Sequence, residues 1–555
     1  MARKKISLTL CLAAGLSALS IAGCNQTSTP ELATPDTSQH EAPLDKFQDT
    51  PLFANTLNNQ WYRDAANTVR QKRLGTAERG KARNVILFLG DGMSIATVTA
   101  ARILAGQRAG LAGEEHVLSF ERFPYLGLAK TYNVDSQTPD SAGTMTAIVS
   151  GIKTNAGLLG ADENVIAGDC QSLAGNEIFS ALELAELAGK ATGIVSTARI
   201  THATPAANYA KSADRDWEDD SDLPDSAKAG GCEDIASQLI HFEKNLAARV
   251  PGAKTDGIEV VLGGGRRGFI SKTDPSGNGR RKDGQNLISQ WQQQYPNGHY
   301  LVNSGDLQAL GPESSAPILG LFNPSHMNYD ADRDSSAAGE PSLREMTAIA
   351  IKRLSQNPEG YFLMVEGGRI DHAHHAGNAF NALNETIAFA DAIATAVTLS
   401  QHDDTLIIVT ADHGHAFGMS GYPKRGNPIL GKVVTLGNDS PALAADGMPY
   451  TTVGYRNGRG FQNLGEDKNA DNGYLQEIHA GRSDLEKIDT QASGFHQEAL
   501  IPLSAETHSG EDVSIYALGP GAALISGNNE QNLIFHVINY ALNLLEPISE
   551  ISLSK

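Results

Sequence analysis

Tyr361-Phe-Leu-Met-Val365-Glu366-Gly-Gly-Arg-Ile-Asp371-His372-Ala-His374-His375-Ala-Gly-Asn378 is the stretch that decides the fold. Residues 361–365 form an unbroken apolar run, which reads as a buried strand. Glu366 then stands where a strand ends. Asp371 and His375 are four residues apart, so on a helical turn they share one face. A carboxylate and an imidazole on one face can hold one divalent metal. Three histidines and two acids in ten residues would be costly to bury without such a purpose. A solvated polar turn is the other reading of this stretch alone. What separates the two is whether other strand ends supply further ligands.

They do. Asn84–Gly90 is a second apolar run, and it delivers Asp91-Gly92-Met93 before a helical stretch from Ala96. The chemistry of α/β sheets sits at such strand ends, although Asp91 could instead cap the helix. Thr405–Thr410 delivers Ala411-Asp412-His413-Gly414-His415. Glu506-Thr507-His508-Ser509-Gly510-Glu511-Asp512 precedes the strand Val513–Leu518 and a closing helix near 533–545. Thr138-Pro139-Asp140-Ser141-Ala142-Gly143-Thr144 leads into a helix ending near Gly151. Amide N–H groups at that helix start would favour an anion such as phosphate beside Ser141; a serine N-cap is the alternative. A strand over 191–197 leads to Thr201-His202-Ala203-Thr204-Pro205 and then Arg215. His202 and Thr204 are candidate groups in or beside a metal shell. Arg215 could fork two N–H groups onto phosphate, and each of the three could equally be a surface residue.

Strands and helices alternate elsewhere. Helices are predicted over 61–72, 177–190, 283–293, 342–354 and Ala379–Leu399, and strands over 258–262 and 318–322. This pattern specifies an α/β protein with a parallel sheet. From 415 to 505 the composition shifts to Gly, Asn, Asp and Pro, the mark of an inserted subdomain. Two nucleotide-like motifs fail their structural tests. Gly263-Gly-Gly265-Arg-Arg-Gly268 is followed by Pro275, Gly277 and Gly279, so no helix opens there. The stretch from Gly426 to Lys432 resembles a Walker loop, but Val433 stands where Ser or Thr must bind magnesium.

The chain has 555 residues, 40% hydrophobic and 19% charged, room for one large α/β domain with insertions. Its net charge of -20 argues against a nucleic-acid or anionic-membrane surface. An anionic substrate would need a local reversal of sign, which bound metal supplies. Arg3, Lys4 and Lys5 precede the apolar run 6–23, which ends Ile21-Ala22-Gly23-Cys24. This resembles a bacterial lipoprotein signal over 1–23 with Cys24 lipidated; a retained membrane span is the rival. Residues 24–50 read as a flexible tether, leaving 51–550 for the fold. The expected location is periplasmic or cell-surface. Cys170 and Cys232 remain after the leader, and export permits a disulfide between them; two unpaired thiols are the alternative.

Phe88-Leu-Gly-Asp91-Gly-Met93, Pro139-Asp140-Ser141, His202-Ala-Thr204-Pro205, Val365-Glu366-Gly-Gly-Arg-Ile-Asp371-His372, Thr410-Ala-Asp412-His413 and Glu506-Thr-His508-Ser-Gly510-Glu-Asp512 together resemble alkaline phosphatase, the animal-type branch above all. The motifs run in the family's order across almost the whole mature chain. The resemblance implies a three-layer α/β/α sandwich with a central, mostly parallel sheet and a crown-like insertion at 415–505. It implies hydrolysis of phosphate monoesters through a phosphoserine, with two Zn2+ and one Mg2+ per chain. By position, Asp371, His375 and His508 would hold the first zinc, and Asp91, Asp412 and His413 the second. Asp91, Thr204 and Glu366 would hold magnesium. Ser141 would be the nucleophile, Arg215 the phosphate clamp and Asp140 its orienter. His202 and His372 would line the substrate site, as in the animal branch. The Cys170–Cys232 pair resembles a disulfide of that branch, and the insertion resembles its crown at a homodimer interface. One departure stands out: Phe322-Asn323-Pro324 replaces the branch's Phe-Glu-Pro calcium motif, so calcium is not carried over.

The nearest rival on the same fold is a phosphodiesterase, and outside catalysis a lipid-anchored metal-binding protein. A sulfatase lacks its modified Cys or Ser motif here. A Ser-His-Asp hydrolase lacks its Gly-x-Ser-x-Gly elbow.

Overall fold

The computed structural model describes residues 50–75, 80–311 and 315–545. The leader, Cys24 and nearly all of the tether lie outside them. In chain order the strands are β1 (Asn84–Gly90), β2 (Tyr125–Lys130), β3 (Ala191–Arg199), β4 (Val260–Gly264), β5 (His299–Leu301), β6 (Ile318–Leu321), β7 (Tyr361–Gly367) and β8 (Thr405–Thr410). Then come the short strands β9 (Gly414–His415), β10 (Phe417–Met419), β11 (Val453–Gly458), β12 (Gln462–Asn463), β13 (Phe495–His496), β14 (Ala499–Pro502) and β15 (His508–Ser509). β16 (Val513–Leu518) and β17 (Gly527–Glu530) close the series.

Ten strands build the main sheet in the order β17-β2-β16-β8-β1-β7-β3-β4-β6-β5. From β8 to β5 every pairing is parallel, and β16 runs antiparallel to both β8 and β2. The central strands β1, β7 and β8 are buried at every residue. Their continuous apolar runs follow from that, since a strand covered on both faces has no polar side. Helices Ile95–Arg108, Leu343–Leu354 and Ala379–Leu399 form one covering layer; Gln60–Gly75, Ser141–Ser150, Ala181–Leu187 and Leu533–Leu542 form the other. Helix Ala379–Leu399 is apolar and long enough to cross a membrane, yet its buried face packs against β7 and β1 as a core helix.

Several elements differ from the sequence reading. The helix expected over 177–190 spans only Ala181–Leu187, because a Ser180–Glu183 capping box starts it and Gly189 (φ +77°) turns the chain out. The sequence reading contains neither β17, the edge strand, nor its neighbour β2: both are only partly buried, and such strands carry no continuous apolar run. An additional helix, Pro51–Asn58, precedes the opening one, which itself spans Gln60–Gly75. After β4 the glycine-rich stretch enters a short 3-10 turn, Arg266–Phe269, with no α-helix to receive a dinucleotide. The region 416–505 carries small sheets of its own, β10-β11-β14 and β12-β13. Cys170 and Cys232 are joined by a disulfide with Cα atoms 5.8 Å apart.

Candidate metal centre and active site

Register brings the acids together. Leu89 of β1 pairs with Glu366 of β7 on one side and Thr410 of β8 on the other. The three strands therefore end level, and Asp91, Glu366 and Asp412 meet at one edge of the sheet. Asp91 does not cap the following helix; Ser94 does, accepting from the Thr97 amide at 3.0 Å. Ser141 is likewise not a cap. Asp140 caps helix Ser141–Ser150 by accepting from the Gly143 amide at 3.0 Å, and Ser141 is its first residue. The Ser141 hydroxyl is thus free of local duty and lies 3.1 Å from His413 Nε2.

The first ligand group is Asp371, His375 and His508. Asp371 Oδ1 lies 3.3 Å from Nε2 of each histidine. His375 Nδ1 donates to the Glu506 carbonyl at 2.6 Å, and His508 Nδ1 to the Pro139 carbonyl at 2.8 Å. A carbonyl only accepts, so in the neutral rings the Nε2 lone pairs face each other, 3.0 Å apart. Such a pair needs a proton or a cation between its members. Ligands about 2.0–2.1 Å from a tetrahedral zinc lie about 3.3 Å from one another, which is the spacing found. Pinning Nδ1 on a carbonyl is also how ligating histidines are held.

The second group is Asp91, Asp412 and His413. His413 Nε2 lies 3.3 Å from Asp412 Oδ2 and 3.5 Å from Asp91 Oδ1. The third is Asp91, Glu366 and Thr204, with the His202 ring close enough that its ligand atom and those of Asp91 and Glu366 fall within 4.8 Å of one another. Both Asp91 oxygens, Asp412 Oδ2, Glu366 Oε1 and Thr204 Oγ1 are buried without a hydrogen-bond partner. Leaving so many polar atoms orphaned would cost several kcal/mol, at roughly 1–3 each. Burial, then the charges of Asp412, Asp371 and Glu366, push Asp91 well above the usual carboxylate range. Burial likewise lifts Glu366 to about 7, against a hydrogen bond from Ser196. Divalent cations would remove both penalties, so the donor set fits two zinc-type sites and one oxygen-rich, magnesium-type site.

Arg215 stands at the open side. Its Nη1 donates to Asp140 Oδ2 at 3.0 Å and its Nη2 lies 3.3 Å from His202 Nε2. Burial raises the Asp140 pKa, but Arg215 and the Gly143 amide outweigh it and hold the carboxyl below its ordinary value. Asp140 thus both caps the helix and orients the guanidinium. His372 accepts from Arg369 at 3.1 Å, and its ring lies 5.4 Å from that of His202. All thirteen singled-out residues are brought to this one region.

Sequence reasoning missed others. His415 stands two residues after His413 and joins the first group spatially. Its Nε2 lies 2.9 Å from Asp371 Oδ1 and its Nδ1 2.6 Å from Glu506 Oε2, so both nitrogens are committed to carboxylates. Burial lowers its pKa, but Glu506 and Asp371 outweigh burial and raise it to about 10. It buttresses Asp371 as a cation. The turn at Gly92 (φ +68°) makes room for it, since a Cβ there would fall 2.2 Å from His415 Nε2. Glu506 was visible two residues before His508; Ser196, inside a strand, gave no signal. His374 is spent structurally between Thr97 Oγ1 (3.0 Å) and the Tyr455 hydroxyl (2.8 Å).

Known proteins resemble this chain in sequence and fold. The model of the family described as alkaline phosphatase matches residues 82–544. The tissue-nonspecific alkaline phosphatase isozyme of Felis catus is 42% identical over 498 residues, 87% of this chain and 88% of that protein. The crystal structure of alkaline phosphatase from Thermus thermophilus aligns with TM-score 0.59 and 25% identity, covering 84% of this chain and 92% of that one. A point variant of the alkaline phosphatase from the Antarctic bacterium TAB5, with Mg bound in its M3 site, aligns with TM-score 0.53 and 21% identity over 83% of this chain and 98% of that one.

Proposed function

Since the chain belongs to the alkaline phosphatase family and hydrolyses phosphate monoesters to an alcohol and inorganic phosphate, we propose that the reaction runs through a phosphoserine on Ser141. The observation that carries this is the Ser141 hydroxyl, relieved of capping by Asp140 and held 3.1 Å from His413 Nε2. Asp371, His375 and His508 would hold one zinc, and Asp91, Asp412 and His413 the second. Asp91, Glu366 and Thr204 would hold magnesium, with the His202 ring beside them. When bound, the ions supply Lewis acidity, which lowers the pKa of an oxygen nucleophile and neutralises charge on the attacking and leaving oxygens.

The chain's own groups do the rest. Arg215, steadied by Asp140, clamps two non-bridging oxygens of the phosphoryl group. Amide N–H groups of the first turn of helix Ser141–Ser150 face the same anion. Ser141 Oγ gives up its proton to solvent and attacks phosphorus as the bond to the leaving oxygen breaks, and that oxygen takes a proton from water to depart as the alcohol. Water then cleaves the serine–phosphate bond, restoring the hydroxyl and releasing phosphate. His413 Nε2 lies 3.1 Å from Ser141 Oγ and 3.3 and 3.5 Å from the Asp412 and Asp91 carboxylates, so in this reading it would serve as a metal ligand rather than as a base, and the hydroxyl would have its pKa lowered by the cation.

The test is hydrolysis of a chromogenic phosphomonoester beside its diester at alkaline pH, on native, chelator-stripped and zinc-plus-magnesium-restored protein. Monoester turnover should vanish on stripping and return with the metals. Preference for the diester would assign the protein to the phosphodiesterase branch, and full activity in stripped protein would remove the metals from the mechanism.

A further inference from the structure

We propose that Asp471, in the inserted region, is a positioning residue for phosphate binding: it anchors Arg369, and Arg369 sets the tautomer and orientation of His372. The inference rests on reading His372, whose ring stands 5.4 Å from that of His202, as part of the phosphomonoester site.

Arg369 opens the helix Arg369–His375, which carries Asp371 and His375. Its side chain is only 4% exposed. A guanidinium has donors and no acceptor, and it does not shed its charge. Three groups meet that charge, although its Nε is buried without a hydrogen-bond partner. Nη2 donates to Asp471 Oδ2 at 2.7 Å, Nη1 donates to His372 Nδ1 at 3.1 Å, and the guanidinium carbon lies 3.7 Å above the Tyr329 ring. The Tyr329 hydroxyl donates to the other Asp471 oxygen at 2.7 Å. One carboxylate from 102 residues along the chain therefore ties the cation and its aromatic platform together.

The consequence for His372 follows from valence. Arginine can only donate, so His372 Nδ1 must accept and carries no proton. The ring is therefore neutral, with its proton on Nε2. That leaves an N–H donor on a ring 5.4 Å from His202, which itself faces Arg215 at 3.3 Å. If Asp471 is lost, Arg369 is freed to turn toward solvent. His372 then loses the partner that fixes its tautomer, and the donor is no longer presented to phosphate. Because this contact is made to bound substrate and to product alike, its loss raises KM and weakens phosphate inhibition without lowering kcat.

The experiment is a double-mutant cycle with Asp471→Asn and His372→Ala, read by KM, kcat and the inhibition constant of inorganic phosphate on metal-loaded enzyme. Asp471→Asn should raise KM and the phosphate inhibition constant about tenfold and leave kcat within about twofold or raise it. In the His372→Ala background the same change should add less than about twofold. Equal effects in both backgrounds, or an unchanged KM, would overturn the proposal. Asp471 is 43% exposed and the Asn variant keeps its shape; should it fail to fold, Tyr329→Phe removes the carboxylate's second anchor and is read in the same cycle. Wild-type monoester turnover in the same assay tests the parent reading separately.

Discussion

At Ser141 a single residue shows how a hydroxyl becomes available for chemistry. Serine at a helix start is normally consumed by capping. Here Asp140 caps, and the hydroxyl is turned toward His413. Ser141→Ala should therefore lower kcat by roughly three orders of magnitude or more while leaving the melting temperature nearly unchanged. Wild-type turnover in that variant would falsify the phosphoserine route. Histidines 372, 374 and 375 make the same point by contrast. They differ little in sequence setting, yet one accepts from an arginine, one is spent on two hydroxyls and one offers its lone pair to the metal group.

Among the elements, helix Ala379–Leu399 carries a cost within its apolar face. Glu385 is buried there, its carboxylate accepting from the Asp330 amide. Burial first, then the Asp330 charge, push its pKa to about 8. The folded protein thus holds this proton where the unfolded chain, at about 4.3, has lost it. Stability contributed by the neutral form is complete below about 4.3 and lost as pH rises toward 8. Glu385→Gln, which stays neutral, should melt several degrees higher than wild type at pH 9, with the gap narrowing steadily toward pH 5. A pH-independent gap would show that the side chain does not titrate in this window.

Across the whole molecule, the insertion is the part whose surface is not explained by its own core. Tyr422, Leu436, Leu443, Leu475 and Leu500 are largely exposed there, Tyr422 at 93% with φ +57°. We propose that these exposed apolar side chains of the insertion pair two copies of the chain, since exposed apolar surface can mark an interface. Light scattering should give twice the chain's 58.8 kDa, less any processed leader, at all practical concentrations. A monomer mass independent of concentration would reject the dimer. The Cys170–Cys232 disulfide acts at this scale too. By closing a loop of 62 residues it restricts the unfolded chain, a contribution of about 4 kcal/mol in the entropic model.

The sequence by itself determined β1, β7 and β8, because a strand buried on both faces must be written as an unbroken apolar run. It also determined which acids and histidines stand at the ends of those strands, and the motifs around them carried the family. Only the tertiary structure decided that Leu89 lies level with both Glu366 and Thr410, which is what gathers Asp91, Glu366 and Asp412. It alone seated His415 between Glu506 and Asp371, and Asp471 on Arg369. The physical reason is range. Periodicity reports how each residue is buried, a local property. Register, tautomer and charge pairing depend on partners distant along the chain, and those are fixed only when the sheet closes and the insertion folds down on it.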